Sequence, residues 1–285
     1  MYGHAILPGN PLCDSSQHTK VARAFLNWLN KNEDTKRLKP IWVLVGHGFE
    51  VLGERFGWKT FTCAAENRVD ASKNDAGKEH DVALKIRHAE KQGIKIRELE
   101  EGQDIPDDLR SATDVRIEEW KKGRDGKKHV HIMEITPWRD PAHRRYFFAQ
   151  DKEGKVHAMV VLAQLAVRGG HQVKLTLDFP GAQYGTIEHM ILYAIHAAKD
   201  SGTTSLTFAG AATNEFYAVH NMGGVRVRML EHTFQAIAKG FKLTQKSGFR
   251  QKLGGEEDPI YVCYSPHGLG VTGVRAVVGL FESDH

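Results

Sequence analysis

Cysteine is scarce: three in 285 residues, Cys13, Cys63 and Cys263, far apart and in no CxxC spacing. That excludes a disulfide framework and a zinc ribbon, and it fits a reducing compartment such as the cytoplasm. Proline is sparse too, 9 against 28 glycines, which excludes a proline-rich disordered chain and a collagen-like one. No apolar run approaches the ~18 residues of a membrane span, and MYGHAILPGNPLC has no basic flank ahead of a long apolar stretch, so no signal segment is expected. A membrane lipid would have to be met from the surface. Excess charge is also small. Lys plus Arg at 39 against Asp plus Glu at 35 leaves +4, too little to announce a nucleic-acid partner unless the cations cluster.

What is present is a folding composition, 41% hydrophobic and 26% charged. The length stands at the upper limit of one core, so two fused units of roughly 100 to 180 residues are expected. Residues 21–32 place Val21, Phe25, Trp28 and Leu29 on one helical face, and 41–45 (IWVLV) suits a buried strand. A helix over 49–56, a strand over 59–64, a surface loop over 67–80, a helix over 80–92 and a strand over 94–99 follow. A second passage opens with a helix over 106–122, acidic at its start and basic at its end. Strands are expected over 129–135, 145–150, 155–167 and 171–179, then a helix over 186–199, a strand over 205–208, a helix over 227–239 and a strand over 260–264. The boundary is placed at 104, giving units 1–104 and 105–285.

The most informative local feature is LDFPGAQYGTIE, residues 177–188, where a strand ends, a loop turns and a helix begins. Gly181 and Gly185 allow backbone to approach a ligand, and the helix start at Thr186 offers free N–H groups to a phosphate or an oxyanion. The glycines equally suit a plain tight turn. There is no GxGxxG and no Lys after the second glycine, which argues against Walker-type NTP hydrolysis. Asp178 is placed to bind an amino group or accept a proton, whereas Glu188 has a sufficient structural role as a partner of the helix dipole.

Residues 239–252 (KGFKLTQKSGFRQK) hold five basic residues and no acid. Lys242, Lys246 and Arg250 are four apart and would form one positive stripe on a helix, with Lys252 beside them, suited to a phosphate backbone or simply to solvent. The cluster Lys121, Lys122, Arg124, Lys127 and Lys128 is explained by solvation. Histidine is abundant at 16, but His129 and His131 on an expected strand have no nearby Cys or acid at ligand spacing, so no metal is assigned, and no GxSxG elbow or activated Cys13 supports a covalent nucleophile.

Longer strings carry more. ITPWRDPAHRRYFFA (135–149), VVLAQLAVRGGHQVKLTLDFPGAQYGTIEHMILYAI (160–195), SLTFAGAAT (205–213) and FKLTQKSGFRQKLGGEEDPIYVCYSPHGLG (241–270) resemble the phosphatidylglycerol lysyltransferase C-terminal domain family. The resemblance is to its fungal branch, the tRNA-dependent ergosteryl aspartate and ergosteryl glycine synthases, and it begins at GNPLC. It implies an α/β (α+β) fold of two tandem acetyltransferase-like (GNAT) halves with mixed central sheets. It also implies transfer of an aminoacyl group from aminoacyl-tRNA to the 3-hydroxyl of a sterol such as ergosterol, with no cofactor, at a peripheral membrane contact and with a synthetase fused or separate. Where the bacterial lysyltransferases read Asp-Leu-Met-Arg, this chain reads Asp178, Phe179, Pro180, Gly181, so the acid matches and the arginine does not. Their Gly-Val-Met-Asp helix start resembles Gly185, Thr186, Ile187 and Glu188, and their late Phe-Lys-x-Lys-Phe resembles the stretch containing Lys242 to Lys252.

The expected site is therefore Asp178 and Glu188 as catalytic carboxylates, Gly181, Tyr184, Gly185 and Thr186 as the oxyanion loop, and Lys242, Lys246, Arg250 and Lys252 toward tRNA. Two other readings stay open. The same loop, in Gln183, Tyr184, Gly185 and Thr186, partly echoes the pyrophosphate loop of acyl-CoA-dependent N-acetyltransferases, and the basic stretch would also serve a non-catalytic tRNA-binding module.

Overall fold

Short apolar runs separated by helical stripes assemble here into one nine-stranded mixed sheet. The computed structural model describes residues 3–123, 135–165, 170–240, 245–266 and 268–281. The strands are β1 (His4–Pro8), β2 (Lys39–Val45), β3 (Lys59–Asp70), β4 (Lys95–Leu99), β5 (Arg144–Gln150), β6 (Val156–Gln164), β7 (His171–Asp178), β8 (Ser205–His220) and β9 (Glu256–Tyr264). Their spatial order is β1-β2-β9-β3-β8-β7-β6-β5-β4. The helices are α1 (His18–Lys31), α2 (His47–Arg55), α3 (His80–Lys91), α4 (Asp107–Lys122), α5 (Thr186–Asp200), α6 (Val225–Gly240), α7 (Gln245–Lys252) and α8 (Gly270–Phe281).

The period-two alternation of strands decides which helix covers which face. In β5, Phe147 and Ala149 pack with α5 residues Met190, Ile191 and Ile195, while Tyr146 and Phe148 pack with Leu109 and Ile117 of α4. Burial on both faces is why β5 and β6 read as nearly continuous apolar runs. At roughly 1.5–3 kcal/mol for each large apolar side chain removed from water, this layer is the main source of stability. In β2, Trp42 faces Ala22, Phe49 and Leu52 of α1 and α2, and Ile41 and Val43 face the side that takes Leu230 of α6 and Val274 and Val277 of α8.

Two strand pairs are parallel, β1 with β2 across α1 and β7 with β8 across α5; the other pairings are antiparallel. β7 and β8 meet only at His171 opposite Leu206 and Gln172 opposite Thr207. Beyond those positions β8 continues along β3 as far as His220 opposite Thr60. The sheet therefore opens between the carboxyl end of β7 and the body of β8, with the 179–185 loop at the mouth.

The expected mixed α/β fold holds, with differences at particular elements. The boundary expected at 104 does not divide the sheet: β4 pairs with β5 at one edge, and β9 lies between β2 and β3. Such pairings between sequence-distant strands leave no local signal. The strand expected over 205–208 runs to His220, because bulges at β3 positions 60–61, 62–64 and 66–68 let the ladder continue through a sequence without clean alternation. The loop expected over 67–80 begins as strand, with Asn67 fully buried. Strand β1 and helix α8 were not anticipated, and residues 129–134 of one expected strand lie outside the described residues.

Candidate functional site

The loop after β7 is held from below by Arg116 of α4. Arg116 is 9% exposed, and its guanidinium lies 5.7 Å from the centre of the Phe179 ring. It donates through Nε to the Val156 carbonyl at 3.0 Å, through Nη2 to the Pro180 carbonyl at 2.6 Å, and pairs with Glu119. Phe179 is buried and its N–H donates to the His157 carbonyl. The residues following Asp178 are thus fixed to the two neighbouring layers.

Above, the loop meets α3. Gly185 has φ +87° and Gly181 φ +80°, both in the left-handed region that favours glycine. Their surroundings differ. A Cβ on Gly181 would meet nothing within 4 Å, whereas one on Gly185 would lie 2.2 Å from the Lys85 carbonyl oxygen. The helix thus passes directly over the start of α5.

From α3, Lys85 reaches the first turn of α5. Its Nζ lies 2.8 Å from Glu188 Oε1, 3.7 Å from Asp81 Oδ2 and 5.5 Å from the centre of the Tyr184 ring. The hydrogen bond to Glu188 raises the Lys85 pKa above its ordinary value. His88 also meets the Tyr184 ring edge-on, which leaves the exposed Tyr184 flanked by two α3 side chains. Lys252 of α7 closes the chain of charges with a 3.1 Å bond to Asp81. Thr186 is 1% exposed and its Oγ1 has no hydrogen-bond partner among the described residues.

Asp178 stands apart from this network. Among the described residues its carboxylate makes no hydrogen bond or ion pair. Its residue surface is open to solvent, yet crowding by protein around the carboxyl, and then the charge of Glu188, raise its pKa above the usual carboxylate range. Two carboxylates therefore share the mouth of the opening. One is neutralised by Lys85, and the other has no cation among the described residues.

The expected basic stripe is distributed differently. Lys242 lies outside the described residues; Lys246 is on α7, its side chain outside the description. Arg250 turns inward, donating to the Ala209 carbonyl at 3.0 Å and lying 5.8 Å from the centre of the Phe208 ring, and burial lowers its pKa. Lys252 is engaged by Asp81. Lys85, Asp81 and Arg116 are site residues that sequence reasoning missed. Only the four-residue spacing of Asp81 and Lys85 on one helix could have pointed to part of the network.

Next to the site, His189 of α5 faces Glu90 of α3 at 3.9 Å, and its buried Nδ1 has no hydrogen-bond partner among the described residues. Burial lowers its pKa, with Glu90 acting weakly in the opposite sense. The folded protein thus binds this proton less readily than the unfolded chain, and stability is retained above the ordinary histidine range and lost as pH falls through it. Chemical denaturation of the wild type and of His189→Gln at neutral and mildly acidic pH checks this: the variant's stability should fall less on acidification.

Among the described residues no cluster of three or more His, Cys, Asp or Glu could hold a metal ion, and no helix is long and apolar enough to cross a membrane. The parallel pair β7 and β8 thus opens around a glycine turn and the start of α5. The chain belongs to the family described as phosphatidylglycerol lysyltransferase, C-terminal, whose profile matches residues 1–264. Its members are aminoacyl-tRNA-dependent lipid aminoacyltransferases, so this is an acyltransferase enzyme. L-PGS from Bacillus licheniformis has a similar fold, at 16% identity and TM-score 0.72 over 98% of this chain and 83% of that one. The C-terminal domain of a putative lysylphosphatidylglycerol synthetase from Agrobacterium fabrum superposes at TM-score 0.75, 12% identity, again over 98% and 83%. FemX aligns at TM-score 0.53 and 10% identity, over 99% of this chain and 84% of that one. No curated protein sequence matches the chain.

Proposed function

We propose that the enzyme moves an aspartyl or glycyl group from tRNA to the 3-hydroxyl of a membrane sterol such as ergosterol. It would act at the cytoplasmic side of a membrane, with tRNA charged by a fused or separate synthetase. The family supplies the reaction type, and the strings 135–149, 160–195, 205–213 and 241–270 support the fungal, sterol-directed branch.

The observation that carries the reading is the carboxylate of Asp178 at the mouth of the sheet opening, which pairs with no cation among the described residues, beside a Glu188 already held by Lys85. An aminoacyl ester brings an α-ammonium, the charge such a carboxylate lacks. With that ammonium on Asp178, the ester carbonyl lies toward the 181–186 loop, where backbone N–H groups at the start of α5, other than that of Thr186, which donates to the Gln183 carbonyl, face the developing oxyanion. The sterol oxygen forms the new bond to the carbonyl carbon, the bond to the ribose oxygen breaks, and the sterol hydroxyl proton ends on that ribose oxygen. The ester is already activated, so the exchange needs no cofactor beyond charged tRNA. Lys242, Lys246, Arg250 and Lys252 would serve the acceptor stem, the last two by exchanging Ala209 and Asp81 for phosphate.

The test is incubation with ergosterol and separately charged, labelled Asp-tRNA and Gly-tRNA, followed by lipid chromatography. Label should enter a sterol ester from one or both. Label that reaches product from acetyl-CoA and from neither tRNA would replace this reading with an N-acetyltransferase.

A further inference from the structure

Helix α1 carries Lys20, Arg23 and Lys31 and no acidic residue. Its inner face is fully used: Ala22 and Leu29 are buried, and Phe25 and Leu26 pack against the Trp42 cluster. An apolar ridge remains on the outside. Val21, Ala24 and Trp28, spaced three and four apart, are all exposed, Val21 at 38% and Trp28 at 53%. Lys20 and Lys31, eleven residues or three turns apart, run along the border of that ridge. Among the described residues neither lysine has a carboxylate partner. Arg23 lies 5.8 Å from the centre of the Phe56 ring. Just ahead of the helix, Leu12 is wholly exposed.

A tryptophan left half in water beside unpaired lysines is costly for a protein that meets only solvent, and it suits the boundary between lipid headgroups and acyl chains. The acids that would make this a merely solvated helix face are missing. We infer that the outer face of α1 docks on a bilayer bearing anionic headgroups, with Trp28 and Val21 entering the interface and Lys20 and Lys31 lying against headgroup phosphates. The inference rests on the reading of the acceptor as a membrane lipid and deepens it by naming the surface that brings the enzyme to it. An RNA is the competing occupant; its phosphates would use Lys20 and Lys31 as headgroups do, but it would leave the exposed aliphatic Val21 without a partner.

The test is flotation of the full-length protein with phosphatidylcholine vesicles prepared with and without phosphatidylserine. Wild type should float with the anionic vesicles, and the bound fraction should fall about tenfold in Trp28→Ser/Val21→Ser and in Lys20→Glu/Lys31→Glu, the latter pair also losing the salt dependence. Val225→Ser/Met229→Ser, which alters exposed apolar residues on α6, should bind as wild type does. Circular dichroism of each variant establishes that it is folded. Failure of wild type to float, or retention of full binding by the α1 variants, overturns the inference. So does loss of tRNA binding by Lys20→Glu/Lys31→Glu in the absence of vesicles, which would make the face an RNA surface. A protein that floats through α1 but transfers no aminoacyl group to any lipid leaves the docking surface standing and refutes the proposed reaction.

Discussion

Gly185→Ala should destabilise the protein by at least ~3 kcal/mol and abolish detectable aminoacyl transfer. Two effects add at this position. The φ of +87° is unfavourable for any residue with a Cβ, at roughly 1–2 kcal/mol. The larger effect is steric: the new methyl would sit 2.2 Å from the Lys85 carbonyl oxygen, so α3 must lift away from α5. That movement separates Lys85 from Glu188 and unmakes the charge arrangement at the mouth of the opening. Gly181→Ala is the matched control, with a similar φ of +80° and no atom within 4 Å of the added carbon. Urea denaturation should show only the conformational cost there, roughly 1–2 kcal/mol. Equal losses in the two variants would contradict the close passage of α3 over the loop.

Asp178→Asn should lower kcat/KM for charged tRNA by roughly 30- to 1000-fold, the equivalent of about 2–4 kcal/mol for losing one partner of a desolvated charge pair. Deacylated tRNA, which has no α-ammonium, should bind the variant and the wild type equally well. Such a split distinguishes a contact to the aminoacyl group from general damage to the tRNA surface. The pH profile supplies a second check. Asp178 must be ionised to hold an ammonium, and crowding together with the Glu188 charge raises its pKa, so activity should decline as pH falls through a value above the usual carboxylate range. Glu188→Gln removes the repelling charge and frees Lys85, and both changes favour the ionised form. Its acid limb should therefore move to lower pH. Movement in the opposite direction would show that Glu188 supports the ionisation of Asp178 instead of opposing it.

The glycine-containing turn and the acid ahead of it were legible in the sequence because both are local: LDFPGAQYGTIE announces a strand end, a turn and a helix start within twelve residues. The apolar runs of β5 and β6 were legible for the same reason, since burial on both faces leaves a compositional mark. Lys85 was not, although it neutralises one of the two site carboxylates. It comes from a helix about a hundred residues away, and its role depends on how that helix crosses α5. Arg250 shows the converse. Its four-residue spacing with Lys246 suggested an outward stripe, but the helix is oriented by where it packs, and the guanidinium found Phe208 and a backbone carbonyl. Asn67 looked like the start of a polar loop and instead lies buried in β3, because bulges let that strand run on beside β8.

The position of β9 also governs the order in which the molecule can be made. β2 and β3 do not touch each other as neighbours; a strand synthesised nearly two hundred residues later is hydrogen-bonded to both. A ribosome releasing this chain must therefore hold one flank of β3 unzipped until residues 256–264 emerge. That delay predicts late acquisition of protease resistance during translation and a need for protection of the bare strand edge in the interval.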